Sequence, residues 1–169
     1  GITHTPVIGW LARVTGVKNP LLAAEIAKEI PNAQFIFGGD GDLIAQLKNA
    51  APTNAKVLGW VDAATFLSAC DIILSTSENE GMPVALIEAQ LAGIPVVATN
   101  VGSSAEVIAH NQTGLITTKN KADIIAALQT LLNSPETLKN MGLSATTHAR
   151  ANFSPDAMIR KHIDLYRSL

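Results

Sequence analysis

Residues 72–98 read IILSTSENEGMPVALIEAQLAGIPVVA, and this stretch contains the pattern that decides the fold. Residues 72–75 form an apolar run with the length of a buried strand, and residues 96–98 form a second one. Between them, residues 83–92 show helical periodicity, with Pro at the first position and Gly93 just past the end. A strand, a helix and a second strand in this order predict a βαβ unit with two parallel strands.

The same alternation extends along the whole chain. Strands are predicted at residues 7–11, 34–37, 56–58, 72–75, 96–98 and 115–117. Helices are predicted at residues 20–30, 42–50, 63–69, 83–92, 123–132, 136–151 and 156–169. No internal repeat or long linker divides these segments. We therefore expect one α/β domain at residues 1–169, a Rossmann-like doubly wound parallel sheet of about six strands with helices on both faces.

Composition excludes several classes of function. The chain has 12 basic and 14 acidic side chains, and this net charge of −2 does not provide the basic surface that nucleic acid or an anionic membrane attracts. Aromatic residues make up only 4%, too few for a platform that stacks single-stranded bases. The longest apolar run, residues 124–128, is far shorter than the ~20 residues of a membrane-spanning helix. We expect neither a nucleic-acid partner nor a transmembrane segment.

The cysteine content and the first residues indicate the compartment. Cys70 is the single cysteine, which excludes an internal disulfide, and no Cys or His pairs have the spacing of a structural zinc site. The chain starts at Gly1 without an initiator Met, and its first residues lack the basic and apolar regions of a signal peptide. We therefore expect a domain of a longer, cytoplasmic protein.

The helix predicted after residues 72–75 carries a candidate binding residue. Four of its residues recur at i, i+3, i+4 and i+7 and predict one buried stripe: Val84, Ile87, Glu88 and Leu91. A carboxylate within a buried stripe needs a partner, because burying an unpaired charge costs several kcal/mol. Glu88 is therefore expected either to form a structural ion pair or to bind a ligand.

Residues 76–83, here called the acidic loop, lead into this helix. Gly81 lets the backbone approach a ligand closely, and the free N–H groups around Met82 and Val84 carry the positive end of the helix dipole. A phosphate group fits that position. The segment that ends at Pro83 is also compatible with an ordinary helix start.

Residues 12–19, here called the basic loop, follow the first predicted strand and contain Arg13 and Lys18. Both side chains could reach one diphosphate, since Arg offers a planar fork of donors and Lys a point charge. Two isolated cations are otherwise typical of a solvated surface. Because ligands of open parallel sheets bind beyond the carboxyl ends of the strands, where both loops lie, the combination favours a phosphate site.

These residues resemble the donor-binding domain of the retaining glycosyltransferases of family 4, also called glycosyltransferase group 1, which have the GT-B fold. Residues 80–89 match the Glu-x7-Glu signature of that family, and residues 92–98 and Gly102 continue the match. Where the family often has paired glycines, Ser103 follows Gly102 here. The resemblance covers essentially the whole chain.

The basic loop takes part in the resemblance with two departures. Arg13 and Lys18 match the Arg and Lys that follow the first strand of the family's donor domain. Ala12 and Asn19 stand where the family has Gly. The two cationic side chains are retained, so the resemblance implies that they hold the donor diphosphate and stabilise the departing nucleotide.

The resemblance also implies roles for the other residues. Arg13, Lys18 and Glu80 would be the catalytic residues, with Glu80 contacting hydroxyls of the donor sugar. Glu88 would bind the ribose hydroxyls, and Val61 would pack on the base. The implied donor-binding set comprises Arg13, Lys18, Val61, Glu80, Gly81, Met82, Pro83 and Glu88. No metal and no organic cofactor would be required.

The function implied by the resemblance is retaining transfer of a hexosyl group from a nucleoside diphosphate sugar to an acceptor, as in polysaccharide or glycolipid biosynthesis. The chain would be the C-terminal half of a GT-B enzyme, and full transfer would need the N-terminal acceptor domain, which this chain lacks. The full-length enzyme would be cytoplasmic or peripheral at the inner face of the membrane. A sugar-nucleotide 2-epimerase and a non-catalytic nucleotide-binding module are alternatives, although the Glu-x7-Glu spacing favours the transferase.

Overall fold

The predicted strands and helices form one α/β domain in the computed structural model, which describes residues 5–168. The strands are β1 (Val7–Leu11), β2 (Gln34–Gly38), β3 (Ala55–Gly59), β4 (Ile72–Ser75), β5 (Val96–Thr99) and β6 (Gly114–Thr117). The helices are α1 (Pro20–Glu29), α2 (Ile44–Ala50), α3 (Ala63–Ser68), α4 (Val84–Leu91), α5 (Ser104–Val107), α6 (Lys121–Leu132), α7 (Pro135–Phe153) and α8 (Pro155–Arg167).

The predicted elements are confirmed with shifts of one or two residues at their ends. Two short elements were not predicted: α5, and the 3-10 turn at Gly16–Lys18 in the basic loop. Both are short, so neither develops the periodic apolar pattern on which sequence-based assignment depends. The predicted end of the last helix, residue 169, lies outside the described residues.

The strand order places the two candidate loops side by side. All neighbouring strands are parallel, in the order β3-β2-β1-β4-β5-β6. The chain therefore moves outward from β1 to β3, returns to the middle, and moves outward in the other direction from β4. This reversal between β1 and β4 is the topological switch point of a doubly wound sheet, where ligands bind beyond the strand ends. The basic loop leaves β1 at this point and the acidic loop leaves β4.

Helices cover both faces of the sheet, and the buried side chains form two clusters accordingly. Ile72 and Leu74 of β4 belong to the cluster that contains side chains of α1 and α6. Ile73, between them, belongs to the cluster that contains side chains of α3 and α4. Successive residues of a strand face opposite sides, so a strand covered on both faces is apolar throughout. This explains the continuous apolar runs from which the strands were predicted.

The buried face of α4 is not the predicted one. Leu86 and Ala89 are buried, whereas Val84, Glu88 and Leu91 are exposed. Most residues of α4 are apolar, so its sequence allows a stripe on either side, and packing against β4, β5 and α7 selects the side of Leu86. The prediction that Glu88 lies within a buried stripe is therefore wrong, and its carboxylate has no burial cost to offset.

Candidate functional site

The basic loop is supported by the glycine-rich segment that follows β2. Backbone N–H groups of Ala12 and Val14 donate to the carbonyls of Gly38 and Asp40, at 3.1 and 2.9 Å. Gly39 has a φ of +130°, and a Cβ at this position would lie 1.9 Å from the carbonyl oxygen of Ala12. A side chain at Gly39 would therefore displace the basic loop, so this glycine is needed for the close approach of the two loops.

Asn19 ends the basic loop and connects it to the acidic loop. Its φ is 49°, in the left-handed region that suits Gly and that Asn tolerates, which explains why Asn can stand where the family has Gly. Its side-chain amide donates to Glu78 at 2.9 Å. Lys119, which follows β6, also donates to Glu78, at 2.7 Å. Hydrogen bonds from Lys119 and, to a smaller extent, from Asn19 hold the pKa of the Glu78 carboxyl below its usual range.

Thr76 forms a buried connection between the same two loops. Its hydroxyl accepts the indole N–H of Trp10 at 3.0 Å and donates to the carbonyl of Asn19 at 2.8 Å. Thr76 is fully buried, so these hydrogen bonds are not exchanged with solvent. Thr76, Trp10 and Asn19 were not predicted as supporting residues, because each bond joins positions far apart in the chain.

Lys18 and Glu80 form an ion pair in the crevice between the loops. Lys18 Nζ lies 2.7 Å from both carboxylate oxygens of Glu80, and the two side chains are 18% and 9% exposed, respectively. The hydroxyl of Ser77 donates to Glu80 Oε1 at 2.6 Å. Glu80 is thus held by two partners in a mostly dry environment. Ser77 was not identified from the sequence, where a Ser in a polar loop carries no distinguishing signal.

Most of the predicted site residues surround one cavity of about 400 Å³ at the switch point. Its lining includes Arg13, Lys18, Glu80, Met82 and Pro83. Arg13 is exposed, and its guanidinium makes no hydrogen bond or ion pair with any residue that the structure describes. Positive charge in the lining comes from Arg13 and Lys18, so the cavity is suited to an anionic ligand.

The start of α4 adds backbone donors to this cavity. The first helical hydrogen bonds run from the N–H groups of Leu86 and Ile87 to the carbonyl of Pro83, at 3.0 and 3.3 Å. The preceding N–H groups, those of Val84 and Ala85, have no acceptor within the helix, and both residues line the cavity. The positive end of the helix dipole therefore faces the same space as the two cations.

Glu88 lies outside this cavity, on the same face of α4 as Val84. Val84 lines the cavity, and Glu88 follows one turn later, about 5.4 Å along the helix. Its carboxylate is exposed and has no hydrogen-bond partner among residues 5–168. Glu88 also lines a second, larger cavity of about 780 Å³ between α3, α4 and the start of α7. A ligand that extends from the first cavity over Val84 would reach Glu88.

Val61 and Gly81 do not line the cavity that contains Arg13. Val61 precedes α3 and borders a third cavity, of about 310 Å³, together with Leu58 and Phe66. It does not line the cavity of Arg13. Gly81 is exposed in the acidic loop, and a Cβ at this position would meet no protein atom within 4 Å. The structure therefore brings together five of the predicted residues, with Gly81 and Glu88 at the margin and Val61 separate.

Within residues 5–168, no three His, Cys, Asp or Glu side chains are grouped so that they could hold a metal ion. No helix in this part of the chain combines the length and the apolar character needed to cross a membrane.

The reversed strand order defines a Rossmann-like α/β domain, and two cations and a helix start lie at the point of reversal, where ligands of such domains bind. The sequence model of the family described as "Glycosyl transferases group 1" matches residues 3–148. The chain therefore belongs to the group 1 glycosyl transferases.

The curated relatives that this chain matches are longer than the chain. The chain is 28% identical to an Escherichia coli enzyme named UDP-Gal:alpha-D-GlcNAc-diphosphoundecaprenol alpha-1,3-galactosyltransferase, over 95% of this chain and 45% of that enzyme. It thus spans less than half the length of that relative.

Solved structures share the fold. Anabaena HepE in complex with UDP and glucose superposes with a TM-score of 0.85 at 22% identity, over 96% of this chain and 48% of that one. The C-terminal domain of a glycosyl transferase group 1 family protein from Francisella tularensis superposes with a TM-score of 0.77 at 19% identity, over 89% and 87%. The second of these was solved as a separate domain of similar extent.

Proposed function

We propose that this chain is the donor-binding half of a retaining family 4 glycosyltransferase, which transfers a hexosyl group from a nucleoside diphosphate sugar to an acceptor. One observation carries the proposal: Arg13, Lys18 and Glu80 converge on one cavity at the switch point, beside the start of α4. The chain spans less than half of a full-length relative, so the acceptor site is assigned to the part of the enzyme that precedes this domain.

The two cations match the chemistry of the leaving group. Breaking the bond between a sugar and a diphosphate builds negative charge on the diphosphate, and fixed donors that face this charge lower the barrier. Among the described residues, nothing occupies the guanidinium donors of Arg13, and Lys18 and the first amides of α4, those of Val84 and Ala85, face the same cavity. We assign the stabilisation of the leaving nucleotide to these groups, without a metal or an organic cofactor. A chelator such as EDTA should then leave donor binding unchanged.

The remaining residues are assigned to the sugar and the nucleoside. Glu80 would accept hydrogen bonds from hydroxyls of the donor sugar, and Glu88, one turn beyond the cavity, would bind the ribose hydroxyls. Val61 would pack on the base. The HepE complex contains UDP and glucose, which makes UDP-glucose the first ligand to test. We place the full enzyme in the cytoplasm or at the inner face of the membrane, and the free thiol of Cys70 is consistent with a reducing compartment.

The proposal is tested by titrating the 169-residue chain with UDP-, GDP- and ADP-glucose in a calorimeter. Binding of at least one of these ligands is expected, with no sugar transfer by the isolated chain. The full-length enzyme should then transfer the sugar with retention of the anomeric configuration, which NMR of the product shows. Failure to bind any nucleotide sugar, or conversion of the donor to its C2 epimer by the full-length enzyme, would overturn the proposal.

Replacement of Glu88 by alanine is expected to weaken binding of the nucleotide sugar about tenfold without affecting stability. A tenfold loss is about 1.4 kcal/mol, near the lower end of the range for a charge-assisted hydrogen bond, here the bond to a ribose hydroxyl. Because Glu88 is exposed and has no partner in the part of the chain that the structure describes, the free energy of unfolding should change by no more than about 0.5 kcal/mol. Calorimetry and thermal unfolding measure the two quantities. Glu136→Ala, an exposed carboxylate at the start of α7, is the control, and equal affinity of both variants would remove Glu88 from the site.

Replacement of Gly81 by alanine, like that of Glu88, is expected to weaken ligand binding without lowering stability. A methyl group at this position meets no protein atom within 4 Å, so the melting temperature should stay unchanged. The methyl group would project from the acidic loop beside the cavity, where the backbone is proposed to approach the diphosphate, and donor affinity should fall several-fold. A variant that binds UDP-glucose as well as the parent would indicate that Gly81 serves only as part of a helix start.

A further inference from the structure

We propose that Glu80 discriminates between the sugar nucleotide and the free nucleoside diphosphate, because it shares Lys18 with the terminal phosphate. This inference rests on the proposed function and adds a second task for Glu80. Besides contacting the sugar, the carboxylate would weaken binding of the nucleotide that remains after transfer.

The first support is the geometry of the Lys18–Glu80 pair. The ammonium group of Lys18 contacts both oxygens of Glu80 at 2.7 Å, so it cannot give its full set of donors to a phosphate without leaving this pair. The side chains are 18% and 9% exposed, and solvent screens their interaction less than it would at the surface. Any anion that binds to Lys18 therefore competes with Glu80.

The second support is that Ser77 fixes the position of the competing carboxylate. Its hydroxyl donates to Glu80 Oε1 at 2.6 Å, and Ser77 itself is 2% exposed. Glu80 is thus held in the cavity wall by a neighbour three residues away as well as by Lys18. When a phosphate draws Lys18 towards itself, the hydrogen bond from Ser77 keeps the carboxylate next to the phosphate.

The third support is the charge of the lining. Its ionisable side chains are Arg13, Lys18 and Glu80, two cations and one carboxylate, with a net charge of +1. In a sugar nucleotide, the outer phosphate is bonded to both the sugar and the inner phosphate and carries one negative charge, and the attached sugar presents hydroxyl donors. In the free nucleoside diphosphate, the same phosphate is a terminal group that carries close to two negative charges near pH 7. A carboxylate only accepts hydrogen bonds, so Glu80 is matched to the hydroxyls and repelled by the second charge.

Glu80 would also affect the release of the nucleotide at the end of the reaction. Transfer removes the sugar hydroxyls from Glu80 and adds a negative charge to the phosphate beside it. Both changes weaken binding at the same residue, so Glu80 promotes release of the nucleotide after transfer. The preference arises within the donor site and needs no movement of another domain.

The test compares UDP with UDP-glucose by calorimetry, using the 169-residue chain and its Glu80→Gln variant, with the GDP and ADP pairs measured alongside. Gln has nearly the same shape without the charge. Glu80→Gln is expected to bind UDP about tenfold more tightly than the parent and UDP-glucose no more tightly, which shifts the preference towards UDP by tenfold or more. Ser77→Ala, which frees the carboxylate without removing it, is expected to shift the preference in the same direction by two- to threefold.

Glu25→Gln is the matched control, since it removes an exposed carboxylate of α1 that pairs with Lys121 and does not line the cavity. Its preference between the two ligands should equal that of the parent. Thermal unfolding identifies a variant that fails to fold. If Glu80→Gln does not fold, the preference of Ser77→Ala between the two ligands is the test of the discrimination. If the parent binds both ligands and Glu80→Gln weakens both alike, or Ser77→Ala leaves the preference unchanged, the discrimination is overturned and the proposed function stands. If the parent binds none of the three pairs, the proposed function and the discrimination fail together.

Discussion

Replacement of Arg13 by alanine is expected to lower the affinity of the chain for its nucleotide sugar by about 10- to 100-fold, which corresponds to one or two lost charge-assisted hydrogen bonds. In the full-length enzyme, the rate of transfer should fall by about 10²–10³, because Arg13 faces the charge that develops on the leaving diphosphate. The guanidinium has no protein partner in the described structure, so its donors are available to the ligand. Calorimetry measures the first effect and kcat/KM the second.

Because Arg13 has no partner among the described residues, Arg13→Ala should change ligand binding without changing stability. The melting temperature should stay close to that of the parent, since no described hydrogen bond or ion pair is lost. Arg150→Ala, which removes an exposed arginine from the end of α7, is the control for the change in net charge. If Arg13→Ala and Arg150→Ala bind the nucleotide sugar equally well, Arg13 is a surface residue and the phosphate site lies elsewhere.

Replacement of Gly102 by alanine is expected to have the largest effect on stability and also to weaken binding. Gly102 has a φ of +50°, and a Cβ there would lie 1.7 Å from the carbonyl oxygen of Glu80. The left-handed conformation costs about 1–2 kcal/mol and the overlap about 1–3 kcal/mol, so together they should destabilise the protein by about 2–5 kcal/mol. The melting temperature would then fall by about 4–20 °C. Relief of the overlap requires the backbone at Glu80 to move, so donor affinity should fall as well.

Gly16→Ala is the matched control for this prediction. Gly16 also lies in a loop at the site, but a Cβ there would meet no atom within 4 Å, and its φ is not positive. Its melting temperature should stay within a few degrees of the parent value. If Gly102→Ala has the melting temperature of the parent and binds UDP-glucose with the same affinity, the close packing of the loop after β5 against Glu80 contributes to neither stability nor binding.

The sequence of β4, α4 and β5 was sufficient to predict the architecture. Strands covered on both faces are apolar throughout, and Pro83 and Gly93 mark the two ends of the helix between them. The order of these elements implies parallel strands joined by a crossover helix, and the doubly wound sheet follows from repetition of this unit. The switch point then places the basic and acidic loops together, so Arg13, Lys18 and Glu80 could be predicted to share a site.

The orientation of α4 could not be predicted with the same reliability. Val84, Glu88 and Leu91 have the spacing of a buried stripe, but Leu86 and Ala89 have it too, half a turn away. Which side is buried depends on where α7 packs, and α7 begins more than forty residues later in the sequence. An amphipathic pattern fixes the inner face only when the other face is polar, and α4 is mostly apolar on both sides.

The supporting residues of the site were also not predictable from local sequence. Thr76 bonds to Trp10 and Asn19, and Asn19 bonds to Glu78, across separations of more than fifty residues. Polar side chains in loops are common, and their partners are defined only once the sheet has brought β1 and β4 together. The departure from glycine at Asn19 became interpretable only from its φ of 49°.

A crystal structure of the 169-residue chain with the nucleotide sugar that it binds best would show directly whether the two cations hold the donor diphosphate. We expect the diphosphate to lie in the cavity of about 400 Å³, within hydrogen-bond distance of Arg13, Lys18 and the first amides of α4, with the ribose at Glu88. A nucleotide bound instead within the larger cavity between α3, α4 and α7, with its phosphates away from Arg13 and Lys18, would contradict it.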